Sequence, residues 1–183
     1  MQVEETQLSG CFVIKPKIFR DPRGYFFESY NQEKFEKGTG TKINFVQDNQ
    51  SQSSYGVIRG LHYQLNPHAQ AKLVTVLEGK VLDVCVDVRR ESATFGQHFA
   101  IELSAENKFQ LFIPRGFAHG FVVLSETAIF QYKCDNFYAP QAEAGIIFND
   151  PELNIDWKIP HDHLIISEKD KYLKTLKEAE NNF

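Results

Sequence analysis

Apolar and polar residues alternate along this chain with a period nearer two than 3.6, which predicts strands rather than helices. The clearest run is 80–88: Leu82, Val84, Val86 and Val88 fall on one face, and Asp83, Cys85 and Asp87 on the other. Residues 72–78 alternate too, with Leu73, Thr75 and Leu77 opposite Lys72, Val74 and Val76. Glu78-Gly79 between the two runs reads as a tight hairpin turn, although Glu-Gly is a weaker turn signal than Asn-Gly. Further strands are predicted over 12–19, 24–30, 43–47, 57–63, 98–103, 109–113, 119–124 and 127–134. Helix signals are few. Asn31 can cap a short helix over 31–37, and Ser167 can cap one in the charged tail, where Leu173 and Leu176 stand at helical spacing. Regularly spaced short strands, with no repeat, linker or low-complexity segment, predict one mainly β domain over 1–183. Its expected form is a double-sheet antiparallel jelly roll with a few short helices, one near the C-terminus. Small barrels of this kind can enclose a ligand cavity.

Composition narrows the function. A chain of 183 residues buries about 70% of its unfolded surface and needs no covalent staple. The 13% aromatic share suits half-buried strands. The net charge is −4 and the basic residues are scattered among acids, which argues against a nucleic-acid partner. An anionic ligand would then be held by a few placed cations. Cys11, Cys85 and Cys134 are odd in number and far apart, so neither a disulfide framework nor a cysteine metal site is expected. The N-terminal residues lack the basic and apolar regions of a secretory signal, and no run approaches the ~18 apolar residues of a membrane span. A reduced, cytoplasmic protein without a membrane partner is the expectation.

The run Arg59-Gly60-Leu61-His62-Tyr63 carries the most chemistry. Histidine can take up and return a proton near neutrality, and the planar fork of an arginine suits phosphate oxygens. On a regular strand, however, Arg59 and His62 point to opposite faces. They can share a cavity only if the strand bulges, and Gly60 is the residue that permits it. From this segment alone, a quiet interior histidine is the commoner outcome. Tyr132 shares a face with Ala128, Phe130 and Cys134, and reads either as a core aromatic or as a general acid. Lys72 alternates with apolar neighbours and so points inward, which is costly unless it is paired. Asp170 lies in a charge run that normally stays solvated. The loop 114–120 is rich in turn residues and leads to His119. His161-Asp162-His163 has metal-ligand spacing but follows Pro160 in a polar loop, so no metal site is expected.

Taken together, several segments resemble one family, the dTDP-4-dehydrorhamnose 3,5-epimerases, a cupin-like jelly-roll group. They are residues 19–28, 45–49, 59–64, 71–74, 103–107, 113–121, 132–140 and 167–170, in family order over nearly the whole chain. The resemblance implies epimerisation of dTDP-4-keto-6-deoxyglucose at C3 and C5, the carbons flanking the C4 ketone, with no cofactor and no metal. It implies that His62 is the base and that Asp170 orients it. Tyr132 would return a proton to the opposite face, and Lys72 would face the C4 oxygen. It implies further that Arg23, Glu28, Gln47, Asp48, Asn49, Arg59, His119, Tyr138, Glu143 and Lys169 hold the nucleotide sugar. Finally, it implies a homodimer in which N-terminal strands exchange, so that Arg23 and Glu28 serve the partner's site. A relative that inverts C3 or C5 alone shares the His-Tyr pair and stays open, as does a non-catalytic sugar-nucleotide binder.

Overall fold

The computed structural model describes residues 1–183 and consists of fourteen strands and two α-helices. The strands are β1 (Gln2–Glu5), β2 (Phe12–Lys15), β3 (Phe19–Asp21), β4 (Gly24–Phe26), β5 (Gln47–Ser54), β6 (Val57–Gln64) and β7 (Lys72–Glu78). They continue with β8 (Lys80–Asp87), β9 (His98–Ser104), β10 (Gln110–Ile113), β11 (Phe117–Val123), β12 (Thr127–Cys134), β13 (Glu143–Gly145) and β14 (Ile165–Ile166). The helices are α1 (Gln32–Thr39) and α2 (Glu168–Lys171), neither long and apolar enough to cross a membrane.

Two sheets face each other, as a jelly roll requires. One runs β1-β2-β10-β7-β12-β5 and the other β13-β6-β11-β8-β9. Every ladder is antiparallel except that of β14, which adds to β6 in parallel. Between the sheets lies an apolar cluster that includes Val74, Val76, Cys85, Phe121 and Phe130. A second cluster joins Leu82, Val84, Val86 and Val122 to Phe148 and Trp157 outside the second sheet. The second sheet is therefore buried on both faces, and all but the first residue of β8 are buried. Phe130 stacks on Phe121 with ring centroids 4.1 Å apart. Truncating such a ring to alanine costs about 3–5 kcal/mol.

The two sheets overturn the hairpin expected at Glu78-Gly79. β7 belongs to the first sheet and β8 to the second, so this turn carries the chain across the sandwich. Gly79 adopts φ 74°, and a β-carbon there would lie 2.0 Å from the Thr127 carbonyl oxygen. A tight turn signal specifies a reversal but not which neighbour the next strand finds. The strand expected over 43–47 instead occupies Gln47–Ser54. This segment reads Gln-Asp-Asn-Gln-Ser-Gln-Ser-Ser, and as an edge strand paired to β12 alone it needs little apolar patterning. The run 12–19 breaks after Lys15, where Pro16 has no N–H for a ladder. The run 24–30 stops at Phe26, and β3 with β4 forms a separate exposed hairpin.

The helix over 31–37 extends to Thr39, with Asn31 accepting from the Lys34 N–H and Gly40 closing it at φ 69°. In the tail only four residues are helical. The spacing of Leu173 and Leu176 arises otherwise: Leu173 packs over Gly145, and Leu176 joins the second cluster. Leu173 lies beside an extended bridge, where the Lys174 carbonyl accepts from the Ile147 N–H, and Leu176 lies in the turn that follows, closed by the Ala179 N–H on the Thr175 carbonyl.

Candidate active site

A cavity of about 590 Å³ opens between the two sheets, lined by Arg59, His62, Lys72, His119, Tyr132 and Asp170 among others. Its geometry begins at Gly60. Across β6 and β11, His62 pairs with His119 and Arg59 with Phe121, so three steps along β6 match two along β11. The extra residue turns Arg59 and His62 toward one cavity, as the sequence requires if both serve one site. Gly60 has φ 133°, and a β-carbon on it would lie 2.5 Å from the Gly120 Cα. Both glycines are needed because the two backbones nearly touch there. Arg59 is further fixed by donating from Nε to the Ser53 hydroxyl at 3.1 Å.

Asp170 reaches this strand from 108 residues away. β14 lies against β6, and the Ser167 hydroxyl caps α2 by accepting from the Asp170 N–H. The Asp170 carboxylate then sits 2.7 Å from His62 Nε2. Burial raises the acid's pKa, but hydrogen bonds from His62, Ser167 and the Gly60 N–H hold it below the ordinary carboxylate value. A charged Asp170 draws the imidazole proton to Nε2 and leaves the lone pair on Nδ1, the arrangement a base needs.

The opposite wall belongs to the other sheet. β12 supplies Tyr132 and β7 supplies Lys72. The Lys72 ammonium lies 5.7 Å from the centroid of the Tyr132 ring. Burial raises the Tyr132 pKa, so the phenol keeps its proton as an acid should. Burial lowers that of Lys72, with Cys134, Asp83 and Glu143 opposing. A proton acceptor and a proton donor thus face each other across the cavity, with a cation beside the donor.

The remaining expected residues divide into three groups. His119, Asn49 and Lys169 line the cavity. Gln47, Tyr138 and Glu143 form a network with Asn49 and Lys169: the Gln47 side-chain amide donates to Asn49 Oδ1, and the Tyr138 N–H donates to Gln47 Oε1. The Tyr138 hydroxyl donates to Glu143, which pairs with Lys169 at 2.5 Å. Burial raises the Glu143 pKa, but Lys169 and Tyr138 bring it below the ordinary value.

Asp48, Arg23 and Glu28 do not join this cavity. Asp48 pairs with Lys133 at 2.9 Å on the opposite face of the strand from Asn49, because successive strand residues alternate. Arg23, on the β3–β4 turn, is 90% exposed and pairs with Asp21, while Glu28 pairs with Lys34. His161 and His163 lie exposed outside the cavity, the first stacked on Phe148. Asp83 is the functional candidate the sequence pattern did not single out. It is fully buried and bonds His119, and its one signal was its place on the inner face of β8.

This barrel has the cupin-like jelly-roll architecture, and a His-Asp pair on one wall with a phenol on the other equips it for acid–base chemistry. Residues 5–178 match the family model described as dTDP-4-dehydrorhamnose 3,5-epimerase. A solved enzyme of that name from Elizabethkingia anophelis NUHP1 is 58% identical, with TM-score 0.94 and 97% of each chain covered. The Pseudomonas aeruginosa enzyme of that name is 52% identical over 180 residues, 98% of each chain. The dTDP-6-deoxy-D-glucose-3,5-epimerase of Legionella pneumophila, solved with dTDP-4-keto-L-rhamnose, is 47% identical. It has TM-score 0.93, with 97% of this chain and 93% of that one covered. The chain belongs to the dTDP-4-dehydrorhamnose 3,5-epimerase family, and is an isomerase.

Proposed function

We propose that this cavity inverts C3 and C5 of dTDP-4-keto-6-deoxyglucose to give dTDP-4-keto-rhamnose. The observation that carries the reading is the placement of His62 and Tyr132 on facing sheets. Inversion needs a proton to leave one face of a carbon and return to the other, which one group cannot do for a fixed ring. His62 Nδ1 takes the proton from the carbon beside the ketone, and the electron pair moves onto the C4 oxygen as an enolate. Asp170 stabilises the imidazolium, and Lys72 stabilises the enolate oxygen, an interaction worth several kcal/mol in a closed site. Tyr132 then donates its phenolic proton to the opposite face. Arg59 and Lys169 suit the diphosphate, and Tyr138 suits the nucleotide base.

In deuterated water the product is expected to carry deuterium at both C3 and C5 by NMR. Tyr132→Phe should slow product formation more than proton exchange. Label at one carbon alone in the wild-type product would refute double epimerisation, and undiminished exchange in His62→Ala would refute His62 as base.

The enzyme works as a homodimer in this reading, with the β3–β4 hairpin carrying Arg23, and the segment just after it Glu28, to the partner's cavity. Supporting it, Phe19, Tyr25 and Phe26 of that hairpin are exposed, an unusual apolar density for a free surface. Mixed dimers of Arg23→Ala and His62→Ala subunits should recover activity that neither homodimer has. The same reading puts the enzyme in the cytoplasm, and its three free cysteines support that.

A further inference from the structure

Beside the His62–Asp170 pair the barrel holds a second one. His119 Nε2 lies 3.0 and 3.1 Å from the two carboxylate oxygens of Asp83, and the Asp83 side chain is wholly buried. His119 is the direct cross-strand partner of His62, so both rings leave their strands toward the same cavity. The mechanism above uses neither member of this second pair.

We propose that Asp83 is a positioning residue that fixes the tautomer of His119, so that Nδ1 presents a lone pair to a hydroxyl of the hexose ring. The inference rests on the proposed substrate. A carboxylate accepts only, so the nitrogen facing it must carry the proton, and that nitrogen is Nε2. No fully buried side-chain nitrogen or oxygen in the chain lacks a hydrogen-bond partner. His119 Nδ1 has none within the chain, so it touches open space, and the space beside His119 is the cavity. The ring stays uncharged at neutral pH. Burial lowers its pKa, and the Lys72 charge, joined by that of His62 whenever it holds a proton, adds to that, outweighing Asp83. A neutral ring with Nε2–H is an acceptor at Nδ1. It therefore matches a sugar hydroxyl, whereas the enolate oxygen needs a donor and finds it in Lys72. The division gives the two polar groups on the ring distinct and non-interchangeable partners.

Asp83→Asn separates this role from a structural one. Its amide can donate to Nε2 and so allow the proton to move to Nδ1, turning the acceptor into a donor. The expected result is a fall in kcat/KM of roughly tenfold or more, as for leaving a buried polar group mispaired. Affinity for dTDP alone should be unchanged, because that ligand carries no hexose. Imidazole ¹⁵N shifts of wild-type His119 should report a single neutral Nε2–H tautomer, and those of the variant a population with Nδ1–H. Three results would each overturn the proposal: wild-type kcat/KM in Asp83→Asn, an equal loss of dTDP affinity, or a wild-type His119 that is protonated on Nδ1. The last measurement needs no variant, so it decides even if Asp83→Asn fails to fold. It also needs no turnover, so it stands apart from failure of the substrate assignment, which would appear as wild-type protein inert toward dTDP-4-keto-6-deoxyglucose.

Discussion

Replacing Gly60 with alanine perturbs the site at the point where its geometry originates. Two costs add. A residue with a β-carbon at φ 133° is strained by about 1–3 kcal/mol. The new methyl would also lie 2.5 Å from the Gly120 Cα and 2.9 Å from the His119 carbonyl oxygen, both backbone atoms that cannot swing aside. Overpacking of this kind costs about 1–3 kcal/mol more. The sum, roughly 2–6 kcal/mol, lowers Tm by about 5–20 °C in a chain of this size. Relief of the clash requires β6 to shift against β11, and Arg59 and His62 then no longer share the cavity. A displacement near 1 Å can cost about 100-fold in rate, so kcat/KM should fall by at least that much. Differential scanning fluorimetry and solvent deuterium exchange, assayed well below both melting points, measure the two effects. Gly24→Ala is the control. Gly24 has φ 127° but nothing of its own chain within 4 Å of the added carbon, so it incurs strain without a clash inside the chain. A Gly60→Ala enzyme with wild-type Tm and kcat/KM would refute the idea that the extra residue at Gly60 builds the site. A Tm loss no larger than that of Gly24→Ala would refute the backbone contact.

Two further outcomes are expected. Asp170→Asn keeps the shape but can donate to His62 Nε2, so the imidazole proton moves to Nδ1; kcat should fall by about 100-fold with little change in KM, and equal loss in both would count against an orienting role. Burial raises the pKa of Asp87, but hydrogen bonds from Arg89, Ser92 and Thr94 leave it below the ordinary value. Its folded pKa is depressed, so its stabilisation is complete above the unfolded value of about 3.9 and is lost as pH falls through the folded one. Urea midpoints of Asp87→Asn and wild type should therefore differ at pH 7 and converge at acid pH; a gap constant with pH would refute the assignment.

The apolar pattern foretold the strands where burial is one-sided or complete, and 127–134 agrees with β12 residue for residue. It failed where burial is slight. β5 has no apolar residue to show its period, β3 is wholly exposed, and of the run expected over 24–30 only Gly24–Phe26 is a strand. Strand partners were not legible either, since Gly79 marks a turn but not a change of sheet. At the site, the conflict between Arg59 and His62 was visible as a parity problem, and Gly60 as its solution. The His62–Asp170 contact was not, because local periodicity carries no information across 108 residues. That pairing came from resemblance, as did Asp48, which the alternation of β5 turns away from the cavity. Asp83 went unnoticed because an inward carboxylate looks like any polar residue on an alternating strand until its partner is known.

The tail does more than supply a carboxylate. After α2, the chain runs back along the second sheet. The Glu180 carbonyl accepts from the Tyr63 hydroxyl, and Asn182 bonds Asn66 in three ways. Both strands of contact lie on or just past β6, next to His62. All fourteen strands precede Asp170 in the chain. The His62–Asp170 pair therefore depends on two separate packing events, closure of the two sheets and docking of the tail along β6.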